Sequence, residues 1–336
     1  MPWWKRGEDK PEDESALSRR DFFRKFGGGA AEILRPAGDD PTRRPPPSPM
    51  LPHRLLGRTG VTVPILGFGT ARLTKQIPDE SAAAALLGEA VDLGVTLIDT
   101  GSPEGGYDRS QIVVGEVLRQ RRRQVFVATK IFEPDGALGW QMLERALREL
   151  QVQEVDLLYA HSLGHDYMDP EKALGRGGVL AMLRQARYEG LCRFIGATCH
   201  NRSERLVQAL SEHELDVIMT PANLADVHTY GFERSVWPLA RQKGCGLLAM
   251  KVFAGPDEGG HTIARMPRQY HDLAYRYALS LEGCASAVIG MLNRRDLHEN
   301  VQRARTFQPL GKEDWERVGQ IGAELARKWG QHLGEF

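Results

Sequence analysis

From residue 53 onward the chain repeats one cycle: a helical stretch of mixed polar and apolar residues ends at a glycine, and a short β-branched, apolar run follows. The clearest cases are Gly94 before residues 95–98, Gly190 before 192–195, Gly244 before 246–249 and Gly283 before 287–289. Glycine takes the left-handed conformation that stops a helix and turns the chain back, so one device used repeatedly predicts a strand–helix repeat. The runs at 65–68, 125–128, 155–159 and 216–219 bring the strands to eight. Between them, the stretch 138–150 shows helical spacing, with Leu143, Ala146, Leu147 and Leu150 on one face. Strands that are apolar along their length are buried on both sides, as in a parallel sheet. Eight of them predict an α/β chain folded as a (β/α)8 TIM barrel, with an N-terminal extension and a C-terminal helix. A doubly wound open sheet is the competing architecture. It needs a Gly-x-Gly-x-x-Gly turn after its first strand, and Gly67-Phe68-Gly69-Thr70-Ala71-Arg72 does not continue into one.

Outside the repeat the pattern changes. Residues 34–52 hold seven of the nineteen prolines, including Pro45, Pro46 and Pro47. Proline fixes φ and removes backbone donors, so this stretch reads as an extended linker. Ahead of it, in 1–33, Ser18-Arg19-Arg20-Asp21-Phe22-Phe23-Arg24-Lys25 resembles a twin-arginine export signal. The apolar segment after it is short, carries Glu32 and lacks a small-x-small cleavage site. Retention in the cytoplasm is therefore favoured over periplasmic delivery by the twin-arginine machinery. The barrel is expected over 53–310. Residues 311–336 form the C-terminal part, where 312–334 has helical periodicity and is expected to pack on the barrel exterior.

Composition narrows the function classes. Of the 336 residues, 44 are Lys or Arg and 44 are Asp or Glu, for a formal net charge of zero. No whole-molecule field draws the chain to nucleic acid or to an anionic membrane face. The apolar runs are strand-length, well short of the roughly 20 residues of a spanning helix. Cys192, Cys199, Cys245 and Cys284 have no paired metal-ligand spacing and are expected to be buried free thiols, so no metal is assigned.

In a barrel the chemistry sits at the C-terminal ends of the strands. The second, third and fourth strands end at Asp99, Lys130 and His161, delivering an acid, a cation and an imidazole to one rim, and Tyr107 follows in the loop after Asp99. Proton donation to a carbonyl oxygen, as hydride reaches its carbon, suits that set. Tyrosine, with a pKa of about 10, is a weak acid at neutral pH. A nearby ammonium lowers that value, a carboxylate fixes the ammonium, and the imidazole orients the carbonyl.

The residues that carry this chemistry also carry a likeness. Leu66-Gly67-Phe68-Gly69-Thr70, Leu97-Ile98-Asp99-Thr100, Ala128-Thr129-Lys130, the run 155–161 ending in His161, and Arg193-Phe194-Ile195-Gly196 together resemble the aldo-keto reductases, nicotinamide-dependent barrel oxidoreductases. The resemblance spans about residues 53–308. It implies an Asp-Tyr-Lys-His tetrad at Asp99, Tyr107, Lys130 and His161, and an NADP-dependent enzyme reducing a small aldehyde or ketone. The family's tyrosine usually lies five residues after the aspartate, whereas Tyr107 lies eight after Asp99, beyond Gly105 and Gly106. An insertion before Tyr107 keeps it as the acid; an insertion after Glu104 would put Glu104 there instead. A carboxylate beside Lys130 would be ionised and unable to donate, which favours Tyr107.

The same resemblance places the cofactor. Gly69 and Thr70 close the first strand; Thr198 and Cys199 replace the family's Ser-Asn pair; Met219 stands for its glutamine and Met250 for its stacking aromatic. Lys251, Val252 and Gly290 line the loops after the last strands, and Glu299 and Asn300 match the Glu-Asn that ends the adenosine clamp. Arg294 or Arg295 can fork onto a 2′-phosphate, which favours NADPH over NADH. Two other readings stay open: a Schiff-base lyase acting through Lys130 or Lys251, and a cofactor-binding barrel with little turnover.

Overall fold

In this computed structural model residues 51–255 and 264–335 are described, so the twin-arginine-like segment and most of the proline-rich stretch lie outside the described residues. A short antiparallel hairpin comes first, β1 (His53–Leu55) and β2 (Thr62–Pro64). Eight parallel strands follow: β3 (Leu66–Gly69), β4 (Leu97–Asp99), β5 (Phe126–Ile131), β6 (Val155–Ala160), β7 (Cys192–Thr198), β8 (Val217–Pro221), β9 (Gly246–Met250) and β10 (Cys284–Gly290). They close in sequence order, with β10 pairing back onto β3. This is the (β/α)8 barrel that the repeat predicts. Gly94, Gly190, Gly244 and Gly283, the four helix-stopping glycines, all have positive φ, between 72° and 95°.

Two apolar clusters hold the barrel. The larger lies between strands and helices; the smaller fills the lumen, with Leu97, Ala128, Leu157, Tyr159, Met219, Leu248, Met250 and Val288 among its members. The hairpin supplies Leu56 and Val63 to the lumen cluster. Gly57 lies so close to the start of β9 that a Cβ there would fall 2.2 Å from Gly246 N, so the hairpin stops the N-terminal end of the barrel. Sequence pattern does not reveal this plug, because three-residue strands are too short to show a period.

Alternation along each strand decides what reaches the opposite end. Side chains two residues apart share a face. Leu97 in the lumen therefore puts Asp99 on the lumen side, Ala128 does the same for Lys130, and Leu157 and Tyr159 for His161. Gly196 makes room for the Tyr159 ring, whose Cδ1 and Cε1 would be 2.9 Å from an added Cβ.

The C-terminal helix is Lys312–Trp329, amphipathic and packed closely enough that a Cβ on Gly322 would fall 2.0 Å from Leu224 O, in the loop after β8. Helical periodicity runs on to 334, but the helix stops five residues earlier because Gly330 has φ 58°. Residues 330–335 then fold across the loops after β7 and β8. The Tyr230 hydroxyl donates to Gly334 O at 3.1 Å and accepts from Leu333 N at 2.7 Å. His332 Nε2 lies 2.8 Å from Asp226 Oδ1, with both side chains buried. Among the described residues no helix is long and apolar enough to cross a membrane.

Candidate active site

The C-terminal mouth of the barrel is built around a buried ion pair. Lys130 Nζ donates to Asp99 Oδ1 at 2.5 Å and to Thr100 O at 2.7 Å, and the lysine side chain is 1% exposed. Burial pushes the Asp99 carboxyl up, and the Lys130 ammonium, beside it and bonded to it, pulls the other way. Thr70 Oγ1 donates to Asp99 O at 3.1 Å, so this hydroxyl ties the ends of β3 and β4 together.

Tyr107 is brought to this pair. The Lys130 ammonium lies 4.6 Å from the centre of its ring, and the residue is 7% exposed. The loop before it explains the geometry. A tight turn, Pro103–Gly105, lays Gly105 against the Phe132 ring so closely that a Cβ would overlap it at 1.9 Å, and Gly106 then turns with φ 77°. The bare backbone at Gly101 leaves space for the Tyr107 ring, 2.8 Å from where a Cβ would stand. Glu104 points the other way and meets Arg145 on the surface, with both carboxylate oxygens 2.6 Å from its Nη2.

His161 completes the set. Its ring packs against Phe132 at 4.4 Å between centroids, and Phe132 in turn lies 6.2 Å from Tyr107. Thr198 Oγ1 sits 2.7 Å from His161 Nδ1 and also accepts from Ser162 N at 2.8 Å. Thr198 Oγ1, which already accepts from Ser162 N, can give its own proton to Nδ1, and in that tautomer a neutral imidazole carries its proton on Nε2.

The remaining predicted residues divide. Met219 and Met250 stand in the lumen cluster below the mouth. Cys199 is buried, its Sγ donating to Asn201 O at 2.8 Å and its thiol pushed up to about 12 by burial. Val252 is likewise buried in the outer cluster, and Lys251 is half-buried with φ 54°. Gly69 and Gly290 pair across β3 and β10, and a Cβ on Gly290 would meet only Gly69 O, at 3.7 Å.

Beyond those bare strand ends begins the helix Arg294–Arg305. Arg294 reaches outward to Glu89 at 2.8 Å, and Arg295 pairs with Glu299 at 2.8 Å. Arg268 and Arg303 join the same cluster, Arg268 to Asp296 at 2.7 Å and Arg303 to Glu299 at 3.5 Å. Arg303 also donates to Asn300 Oδ1 at 2.9 Å. Sequence reading missed both. Arg303 had a usable signal, four residues after Glu299 on one helix face, whereas Arg268 comes from a loop that no local pattern connects to this helix.

Backbone strain gathers on the same face. Of the six non-glycine described residues with left-handed backbone, five (Asp108, Ser162, Arg202, Lys251 and Ala254) lie in loops that leave the C-terminal ends of strands. Such conformations cost about 1–3 kcal/mol each and persist where surrounding structure holds them. All four cysteines are free and buried.

A barrel with this mouth matches a known class. The family model described as "Aldo/keto reductase family" matches residues 65–257, and the chain belongs to that family. It is accordingly an oxidoreductase of the carbonyl-reducing class. Among individual relatives it is similar to pyridoxal 4-dehydrogenase of Microbacterium luteolum, 27% identical over 315 residues that cover 74% of this chain and 91% of that protein. In fold it is similar to an aldo-keto reductase from Bacillus halodurans in its holo form, at a TM-score of 0.67 and 21% identity, covering 84% of this chain and all of that one. It is also similar to an aldo/keto reductase from Klebsiella pneumoniae solved in complex with NADP and acetate, at a TM-score of 0.62 and 19% identity, covering 80% and 94%.

Proposed function

We propose that this chain is an NADPH-dependent reductase of small aldehydes or ketones, with Tyr107 as proton donor and Asp99, Lys130 and His161 as its supporting set. The observation that supports this most is the Tyr107 ring resting over an ammonium locked by a buried carboxylate. A cation at that place favours the phenolate and so makes the phenol a better acid. Asp99 keeps the ammonium in position and charged, which also removes the free amine that a Schiff-base reaction needs. His161, its Nδ1 occupied by Thr198, has Nε2 to donate to the carbonyl oxygen and hold it for the proton from Tyr107.

The residues at the mouth fit a dinucleotide. A Cβ on Gly290 would meet only Gly69 O, so the backbone there is open to an approaching group, and the Arg294–Arg305 helix gathers guanidinium groups of the kind that fork onto phosphate. Arg294, Arg295, Arg268 and Arg303 would hold the phosphates, with Asn300 beside the adenosine and Met219 and Met250 below the nicotinamide. When bound, the reduced nicotinamide supplies the hydride. Arg295 and Arg294 are each engaged by a carboxylate, so a 2′-phosphate takes these arginines in competition with Glu299 and Glu89. The NADP complex of the Klebsiella pneumoniae neighbour supports the same cofactor.

The test is turnover of NADPH, and of NADH, with a panel of small aldehydes and ketones, run also in the alcohol-oxidising direction because one relative is named a dehydrogenase. Tyr107→Phe is expected to lower kcat at least tenfold, on the order of one lost proton-transfer contribution, while cofactor affinity stays nearly unchanged. Glu104→Gln should leave both alone. Full activity in Tyr107→Phe together with loss in Glu104→Gln would overturn the assignment.

A further inference from the structure

Directly after Thr198 and Cys199 comes His200, a residue that the mechanism above does not use. It is 7% exposed and stands at the mouth between two elements of the site. On one side its ring meets His161 edge to face, with centroids 5.4 Å apart and planes at 87°. On the other, its Nε2 lies 3.2 Å from Met250 Sδ, where an imidazole N–H donates to the thioether. Met250 leads out of β9 and His161 out of β6, so this one imidazole ties the nicotinamide side of the mouth to the proton-donating side.

We infer that His200 is a positioning residue for the nicotinamide pocket: it pins the Met250 thioether and props the His161 ring. The reason lies in what stands around it. A methionine has three rotatable bonds and, unheld, covers a ring without fixing how that ring lies. The neighbouring position that can supply an amide to a carboxamide carries Cys199, whose thiol donates to Asn201 O. Orientation must then come from another buried polar group. His200 holds Met250 in one rotamer through a bond to sulfur, and its face-to-edge contact limits the tilt of His161.

The inference rests on the cofactor assignment proposed above, and the test separates the two. Binding is measured by calorimetry for NADP+ and for its adenosine half, 2′,5′-ADP, with NAD+ and 5′-ADP as the second pair. In His200→Leu the whole dinucleotide should bind about tenfold more weakly while the adenosine fragment binds as before, since only the nicotinamide end has lost its seat. His200→Gln, which keeps an N–H donor at similar reach, should restore most of the difference. A second readout is the face of hydride transfer, followed with cofactor deuterated on one or the other side of C4: the wild type should use one face, and His200→Leu should leak to the other. Equal affinities for both ligands in wild type and His200→Leu, with one face retained, would overturn the inference. So would equal loss of both ligands in His200→Leu and His200→Gln. A wild-type chain that binds no member of either pair would instead sink the cofactor assignment, and this inference with it.

Discussion

Replacing Lys130 by methionine tests the central ion pair through stability, before any turnover is measured. The lysine side chain is 1% exposed and its aspartate partner 6% exposed, so neither charge leans on solvent. Methionine fills nearly the same channel, and what the substitution removes is the charge. Asp99 then keeps the burial that raises its pKa and loses the ammonium that lowers it, so the folded variant takes up a proton there. An unfolded aspartate titrates near about 3.9. Each pH unit above that value at which the folded carboxyl still keeps its proton costs about 1.4 kcal/mol. The sign follows from proton counting. Between about pH 4 and the raised folded-state pKa, the folded variant binds one more proton than the unfolded chain, so its stability falls as pH rises. The gap between wild type and Lys130→Met should thus be wider at pH 7 than at pH 5, growing by at most about 1.4 kcal/mol per pH unit, as read from urea unfolding at each pH, because losing the ammonium moves the Asp99 carboxyl further up. Removing both charges, in Asp99→Asn with Lys130→Met, should recover most of the loss. A gap that is constant from pH 5 to 7 would refute the reasoning and assign the loss to packing.

Three further outcomes are expected. Glu233, pushed up to about 7 chiefly by burial and accepting from the Tyr277 hydroxyl at 3.1 Å, is protonated in the fold at pH values where the unfolded chain has lost its proton. Stability should therefore fall as pH rises from about 4.5 to 7, and Glu233→Gln should remove about 1–2 kcal/mol of that slope, discounted for the partial exposure of the side chain. Gly105→Ala should cost about 1–3 kcal/mol by overpacking and depress kcat, since Phe132 is held by His161 and Tyr107 and cannot retreat; Gly88→Ala, in a helix with open space at the Cβ, should instead gain up to about 1 kcal/mol. Tyr230→Phe removes the hydroxyl that both donates to Gly334 and accepts from Leu333, and hydrogen exchange at the Leu333 amide should speed by about tenfold or more while the barrel strands keep their protection.

How much of this was legible in the sequence depends on whether the information is local. Strand runs and helix-stopping glycines are local, and the barrel follows from them. Asp99, Lys130 and His161 were legible because alternation puts strand-end residues on the lumen side, and each strand carries its own parity. The Tyr107 loop was only half legible: two glycines announce a tight turn, but nothing along the chain says that Gly105 is bare because Phe132, 27 residues later, lies against it. His200 escaped for a similar reason. A histidine one position after Cys199 has no meaning until β9 brings the Met250 sulfur beside it. Arg268 and the tail 330–335 act across more than twenty residues of sequence, and only closure of the barrel brings them to their partners.

The tail has a consequence in time as well as in space. Asn201, Arg202, Asp226 and Tyr230, which it touches or approaches, are all translated at least a hundred residues before it. A nascent chain that has reached residue 310 holds every strand of the barrel together with Asp99, Tyr107, Lys130 and His161, but the segment that folds across the loops after β7 and β8 has yet to be made. Those loops receive their last partners late, so a chain cut short there would carry a closed barrel whose loops after β7 and β8 still lack their cover.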